Sequence, residues 1–396
     1  MAPDGKEVVT ILLSIRWLSM LGYFGNFMLL ISLIKVTPPA AYYFNPVRRI
    51  PEPWYASVTG LRLSWSVFAN NRIHYIHALH QRPGGSRHEV GIHEGSLYAL
   101  LSPVPVGNLF NFRDAGLYSA RQKLYTRRFT LRSLRNEWEP KVHEITKLTR
   151  GRTKRDALHG EEEMMGWWTL MANELQDIFY SRGKDGCWWK RSRLSRARAG
   201  ALLLAGSGPT AISLTFLLWC VLSRPAVQKQ VEAEVATLEG EVTDVACEQL
   251  PILNAVIEES LRLYGTAPGC MPRSPPSGAA MVGGYFIPDD AVVTQYWSLQ
   301  RNPVICENTD IFDHTRWLRG SGMTEPAKLT FNPFGYGARQ CLGIHLGRMT
   351  MRLAAAMFFR ECRGSRLARS VTESMRIVDS FIVGVPRDRR YSITLQ

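Results

Sequence analysis

Apolar positions fall along this chain in runs of different length and period. Residues 17 to 34 are uncharged and mostly apolar, long enough to cross a bilayer as a helix. Residues 8 to 15 extend that run, interrupted by Arg16. The stretch ALLLAGSGPTAISLTFLLW is nearly as apolar and predicts one long helix. Two further segments, NAVIEESLRLYG and LGRMTMRLAAAMFF, also read as helices. A helix carrying RIHYIHALH and a short strand around EVGIH precede a mainly helical body. The pattern predicts a mainly α protein with small β-sheets, and contains no internal repeat or low-complexity tract.

Boundaries follow from the same pattern. A cleaved signal peptide would want a shorter core and a small-residue cleavage site, whereas this core runs into Lys35 and VTPPA. The expectation is a membrane anchor over residues 1–35 containing a single N-terminal transmembrane helix. Prolines at 38, 39, 46, 51 and 53 then make a stiff tether over 36–56, and the main domain fills 57–396. Lys35, Arg48 and Arg49 follow the span, which would leave that domain in the cytoplasm.

Composition narrows the picture. With 396 residues and 45% hydrophobic content, the chain can bury a substantial core. Eleven tryptophans suit a deep apolar pocket. Seven cysteines at irregular spacing do not form a disulfide framework, so a reducing compartment fits. The net charge of +14 permits an acidic protein partner or anionic lipid, or merely a solvated basic surface. No nucleic-acid-binding module accompanies it, and nucleic acid is the weakest choice.

Chemistry concentrates in FGYGARQCLG, residues 334 to 343. One cysteine, Cys341, stands between glycines, beside Arg339 and just before an apolar helix. A thiolate needs cationic groups or exposed N–H donors, and glycines let backbone approach a flat partner. The bland reading is a buried structural cysteine at a helix start. Phe334, Gly337, Arg339, Cys341 and Gly343, however, resemble the haem-ligand loop of the cytochromes P450, the haem-thiolate monooxygenases.

That resemblance extends over most of the chain after residue 36. Glu259 and Arg262, three apart on one helix face, can pair as an ordinary surface couple. With Arg316 of FDHTRWL they match the family's buried structural network. Pro272-Arg273 resembles the strand segment whose Arg meets a haem propionate. In YSARQKLYTRRF, Gln122 stands where an Arg usually reaches a propionate, flanked by Arg121 and Lys123; Arg121 is the substitute candidate. The resemblance implies haem b with Cys341 as its iron ligand, and NADPH acting indirectly through NADPH-cytochrome P450 reductase. It also implies an apolar small-molecule substrate, such as a fungal terpenoid or polyketide, and single-pass residence in the endoplasmic-reticulum membrane, in contact with lipid.

Several positions depart from the family. Gly206, Gly208 and Ala211 satisfy a dinucleotide-binding fingerprint, but no second strand follows and a long helix is the better account. It resembles the family's central helix over the haem. There Gly208 stands where an acid usually does and Pro209 where a Thr does, leaving Thr210 as the proton-relay candidate. Proline at mid-helix predicts a kink. Only about twenty residues separate Tyr180 from Ala201, where related chains carry a two-helix substrate lid; the catalytic domain is read as shortened between 180 and 201. The altered positions leave open a peroxide-using or rearranging haem-thiolate enzyme, and the short lid an inactive, truncated haem-binding protein. His74, His77 and His80 are read as helix-surface or turn residues rather than metal ligands.

Overall fold

The computed structural model describes residues 61–81, 115–148, 162–163 and 193–394, apart from some positions between 274 and 291, at 322 and between 369 and 391, together with Pro53 and Tyr55. The proposed anchor, most of the tether, EVGIH and the stretch from 164 to 192 lie outside the described residues.

The described helices are α1 (Leu61–Phe68), α2 (Arg72–His80), α3 (Ala115–Thr126), α4 (131–148), α5 (Arg193–Leu222), α6 (Pro225–Val235), α7 (Asp244–Glu248), α8 (Pro251–Tyr264), α9 (Tyr296–Leu299), α10 (Glu325–Thr330) and α11 (Ile344–Glu361). One turn of α4, Leu134–Trp138, is π-helical. Among the described residues, nine short strands form four small sheets. β2 (Cys270–Arg273) pairs antiparallel with β5 (Val292–Gln295), placing Arg273 opposite Val292. β3 (Ala279–Val282) pairs with β4 (Tyr285–Pro288), and β7 (Val378–Ser380) with β8 (Ile382–Gly384). β9 (Ser392–Thr394) lies between β1 (Glu162–Glu163) and β6 (Arg366–Leu367).

α5 is the core of the molecule. Every residue from Ala211 to Leu222 is buried, so the helix is apolar on all faces because it is surrounded by protein. Residues 205 to 222 would be long and apolar enough to span a membrane, but here they are mostly enclosed. The helix is continuous from Arg193 through Pro209, which agrees with the helical reading of the glycine-rich stretch and not with a strand-turn-helix unit. It packs against α8 and α11; Phe216 stacks on Tyr264 at 4.5 Å, and Trp219 meets the same ring edge-on.

α8 starts with Pro251, whose missing N–H costs nothing at a helix start. The next two amides are capped from outside: Glu234 of α6 accepts from Ile252 at 2.8 Å and Leu253 at 2.7 Å. α11 buries the unbroken series from Met349 to Phe359, polar Thr350 and Arg352 included. Arg352 is accommodated because Asp244, fully buried at the start of α7, accepts from its Nε at 2.8 Å and Nη2 at 2.6 Å. Arg135 of α4 donates to the same carboxylate at 3.2 Å, and Glu139 accepts the Asp244 amide at 2.7 Å. Three helices are joined at one carboxylate.

The histidines of α2 correct the surface expectation. All three are half-buried. His74 packs edge-on against Trp297, and His77 Nδ1 lies 3.2 Å from Ser298 Oγ, so they line the contact between α2 and α9.

Candidate active site

Cys341 lies at the end of a loop that the following helix holds in place. The chain turns at Gly335 (φ +77°) and Gly337 (φ +74°), a backbone region that side chains with a Cβ rarely enter, then passes through a 3-10 turn over Gly337–Arg339. Cys341 N–H donates to the Phe334 carbonyl at 2.9 Å, closing the loop on its own first residue. Gly343, at the start of α11, has its Cα hydrogen side open to the sulfur: a Cβ there would sit 3.9 Å from Sγ and 4.0 Å from the Phe129 ring.

Two influences act on the thiol. Crowding by protein pushes its pKa above the ordinary thiol value, and the Gly343 backbone N–H opposes this. Cys341 is nonetheless exposed as a residue.

Arg339 is oriented by α3: its guanidinium carbon lies 3.8 Å from the centre of the buried Tyr118 ring, a cation–π contact. Phe334 packs onto α11, where a Cβ on Gly347 would meet the ring at 3.4 Å. Arg121 is half-buried on α3 beside Gln122. Arg273 ends β2, and its side chain lies outside the described residues.

Glu259, Arg262 and Arg316 come together. Arg262 makes a fork onto Glu259, Nε to Oε2 at 2.8 Å and Nη2 to Oε1 at 2.9 Å. Arg316 Nε donates to Oε1 at 3.1 Å. The Asp313 amide adds 2.9 Å to Oε1, and the Trp317 indole 2.8 Å to Oε2. Arg262 also donates to the carbonyls of Gln300 and Thr309, at 3.1 and 2.7 Å. Glu259 and Arg262 are 0% and 4% exposed, so this is no surface pair: each charge is satisfied by several partners, as burial demands.

On α5, Thr210 donates its hydroxyl to the Gly206 carbonyl at 2.7 Å. Pro209 has no N–H for the Ala205 carbonyl one turn back. Gly206, Gly208, Pro209 and Thr210 are all half-exposed, unlike the buried residues that follow. A groove of roughly 370 Å³ is lined by Arg62, Trp65, His74 and Tyr75, and includes no residue of the Cys341 loop.

Sequence reading missed Tyr118 and Trp317 as partners of Arg339 and Glu259. Trp317 adjoins Arg316 and was within reach of the argument; nothing in the pattern links Tyr118 to a residue more than two hundred positions later.

A cytochrome P450 family model matches residues 194–384. The chain is 56% identical to cytochrome P450 monooxygenase stcB of Emericella nidulans, covering 89% of each chain. It is 44% identical to cytochrome P450 monooxygenase aflV of Aspergillus parasiticus, covering 94% of this chain and 95% of that one. These alignments run over 461 and 485 positions, more than the 396 residues here, so both relatives carry residues this chain lacks. A crystal structure of a cytochrome P450DA mutant haem domain shares the fold, with a TM-score of 0.66 over 81% of this chain and 84% of that one at 16% identity. The chain belongs to the cytochrome P450 family. It is a haem-thiolate monooxygenase, an oxidoreductase, with a mainly helical fold and small sheets.

The residues present fit the haem that this family implies. Haem iron would need a protein ligand, and Cys341 offers a thiol on an exposed residue, with a backbone N–H beside the sulfur on a glycine-turned loop.

Proposed function

We propose that Cys341 would ligate the iron of haem b, and that the chain inserts one oxygen atom from O2 into an apolar small molecule of fungal secondary metabolism, a terpenoid or polyketide. The observation that carries the reading is the Cys341 loop itself, with its amide tied to Phe334 and its sulfur beside the Gly343 N–H. When bound, haem supplies dioxygen activation and oxygen transfer to a C–H bond.

The chain's own groups divide the remaining work. Cys341 binds as the thiolate, since thiols lose their proton on metal coordination. Phe334, Gly337, Arg339 and Gly343 shape the loop, and Arg339, Arg273 and Arg121 are the cations for the propionates. Glu259, Arg262 and Arg316 hold the scaffold and touch no reacting atom. Thr210, whose hydroxyl donates to the Gly206 carbonyl, can also accept from water at Oγ1, which suits it to hold a proton for relay.

Electrons come from NADPH through an NADPH-cytochrome P450 reductase. Residues 17 to 34 anchor the chain in the endoplasmic-reticulum membrane, with residues 36–56 as tether and 57–396 as a cytoplasmic catalytic domain, shortened between 180 and 201. The extra alignment length of the relatives supports a shortened chain. A peroxide-using variant of the chemistry is favoured by Gly208 and Pro209, which replace the usual acid and Thr; NADPH consumption that depends on reductase separates the two.

The test is the reduced, carbon-monoxide difference spectrum of the purified chain, with Cys341→Ser as control. A thiolate band in the wild type that disappears in Cys341→Ser is expected. Absence of bound haem, or an unchanged band in the variant, overturns the assignment.

A further inference from the structure

A second ion pair reaches the cysteine loop independently of the Glu259 cluster. Glu258 lies on α8 and Arg348 on the first turns of α11. Arg348 holds Glu258 as a fork, Nη1 to Oε1 and Nη2 to Oε2, the latter at 3.1 Å. Both side chains are largely shielded from solvent. Burial, together with nearby Arg352, lowers the Arg348 pKa to about 10, which still leaves the guanidinium charged at neutral pH and able to hold the Glu258 carboxylate.

The pair touches the site through Phe334. The Arg348 guanidinium carbon lies 5.5 Å from the centre of the Phe334 ring, and Gly347 meets the same ring with bare backbone. Phe334 is therefore seated on α11, in reach of the Arg348 cation and against the bare backbone of Gly347. Its carbonyl in turn accepts the Cys341 amide at 2.9 Å.

We infer that the Glu258–Arg348 pair is a positioning element for the Cys341 sulfur: it fixes the cation against Phe334, and Phe334 fixes the backbone that presents the thiolate. The inference rests on the reading that Cys341 is the iron ligand. A pair acting only as a strut between α8 and α11 would contribute stability and nothing else, whereas a positioning pair also alters what the sulfur does. Groups that directly support a metal ligand typically change affinity or activity about 10- to 100-fold when lost, and this pair, acting through Phe334, is expected at the low end of that range.

The test uses the full, haem-loaded chain and the variants Glu258→Gln, Arg348→Gln and Arg348→Lys. Three quantities are read: the haem reduction potential, the lifetime of the thiolate band in the reduced carbon-monoxide complex, and the thermal midpoint. In Glu258→Gln and Arg348→Gln the potential shifts and the thiolate band decays about tenfold faster than in the wild type. Arg348→Lys, which keeps the cation but not the fork, recovers most of that lifetime. Lys328→Gln, in an exposed pair with Glu325, leaves all three unchanged.

A lowered thermal midpoint with wild-type potential and band lifetime overturns the inference. Should Glu258→Gln fail to retain haem, the two Arg348 variants decide: equal lifetimes in Lys and Gln overturn it, and a longer lifetime in Lys supports it. A wild-type chain without a thiolate band defeats the ligand assignment and this inference together, whereas a normal wild type with silent variants defeats the inference alone.

Discussion

Trp317 donates its indole N–H to the same Glu259 oxygen, Oε2, that receives Arg262 Nε, each at 2.8 Å. The other oxygen takes three more donors, from Arg262, Arg316 and the Asp313 amide. One buried carboxylate thus joins α8 to the segment around residues 313–317, which leads toward the cysteine loop.

Glu259→Gln replaces one acceptor oxygen with an NH2 that faces N–H donors and leaves two guanidinium groups without their anion. Breaking a buried pair from one side costs about 3–5 kcal/mol. The expected outcome is a large loss of haem-loaded, folded protein, read as thiolate-band absorbance per mole of purified chain. Retained band intensity with an unchanged denaturation midpoint would contradict it.

Asp244→Asn strips the buried charge facing Arg352 and Arg135, but both keep Glu248 of α7 as a second anion, at 3.2 and 2.6 Å, so the cost is below the about 3–5 kcal/mol of an uncompensated buried charge. Here the stability of the helical core falls, measured by denaturant unfolding, because α4, α7 and α11 lose the buried one of their two shared carboxylates. Arg135→Gln, on the more exposed partner, costs less.

Thr210→Ala removes the hydroxyl bonded to Gly206. If the proton is held at Oγ1, product formation falls on the order of 10²-fold and peroxide release rises in steady-state assays. The helix is unaffected, since Ala is the better helix former. Product yield equal to wild type, with no additional peroxide, excludes Thr210 from the relay.

His77 has its pKa lowered, first by burial and then by Arg301, with His80 and His74 acting the same way and Asp310 opposing. The folded state therefore favours neutral imidazole, while the unfolded chain protonates near the ordinary value of 6.5. Stability from this group is present above that value and is lost as pH falls below it. His80 and His314 are shifted in the same direction. Thermal midpoints are expected to drop between about pH 7 and pH 5.5, and His77→Gln to reduce, without abolishing, that drop. An identical slope in the variant would refute the assignment.

What the sequence made legible was local. The cysteine loop, the long α5 and the α8 pair Glu259 and Arg262 each lie within a few residues, where spacing alone sets geometry. The Asp244 cluster was invisible because Arg135 and Arg352 stand 109 and 108 positions from it, and nothing in a charge pattern says which distant carboxylate an arginine will meet. The same holds for Glu258 and Arg348, 90 apart. The histidines of α2 misled because polar residues at three-residue spacing imply a wet helix face, whereas Trp297 and Ser298 cover this one.

α11 has no dry side and wet side over its middle three turns, since every residue from Met349 to Phe359 is enclosed. A helix gripped all round can neither slide nor roll without opening the interior. The sulfur just ahead of it is thus carried on a loop whose far end is rigid, and its reactivity is tuned by the side chains that seat that loop on the helix.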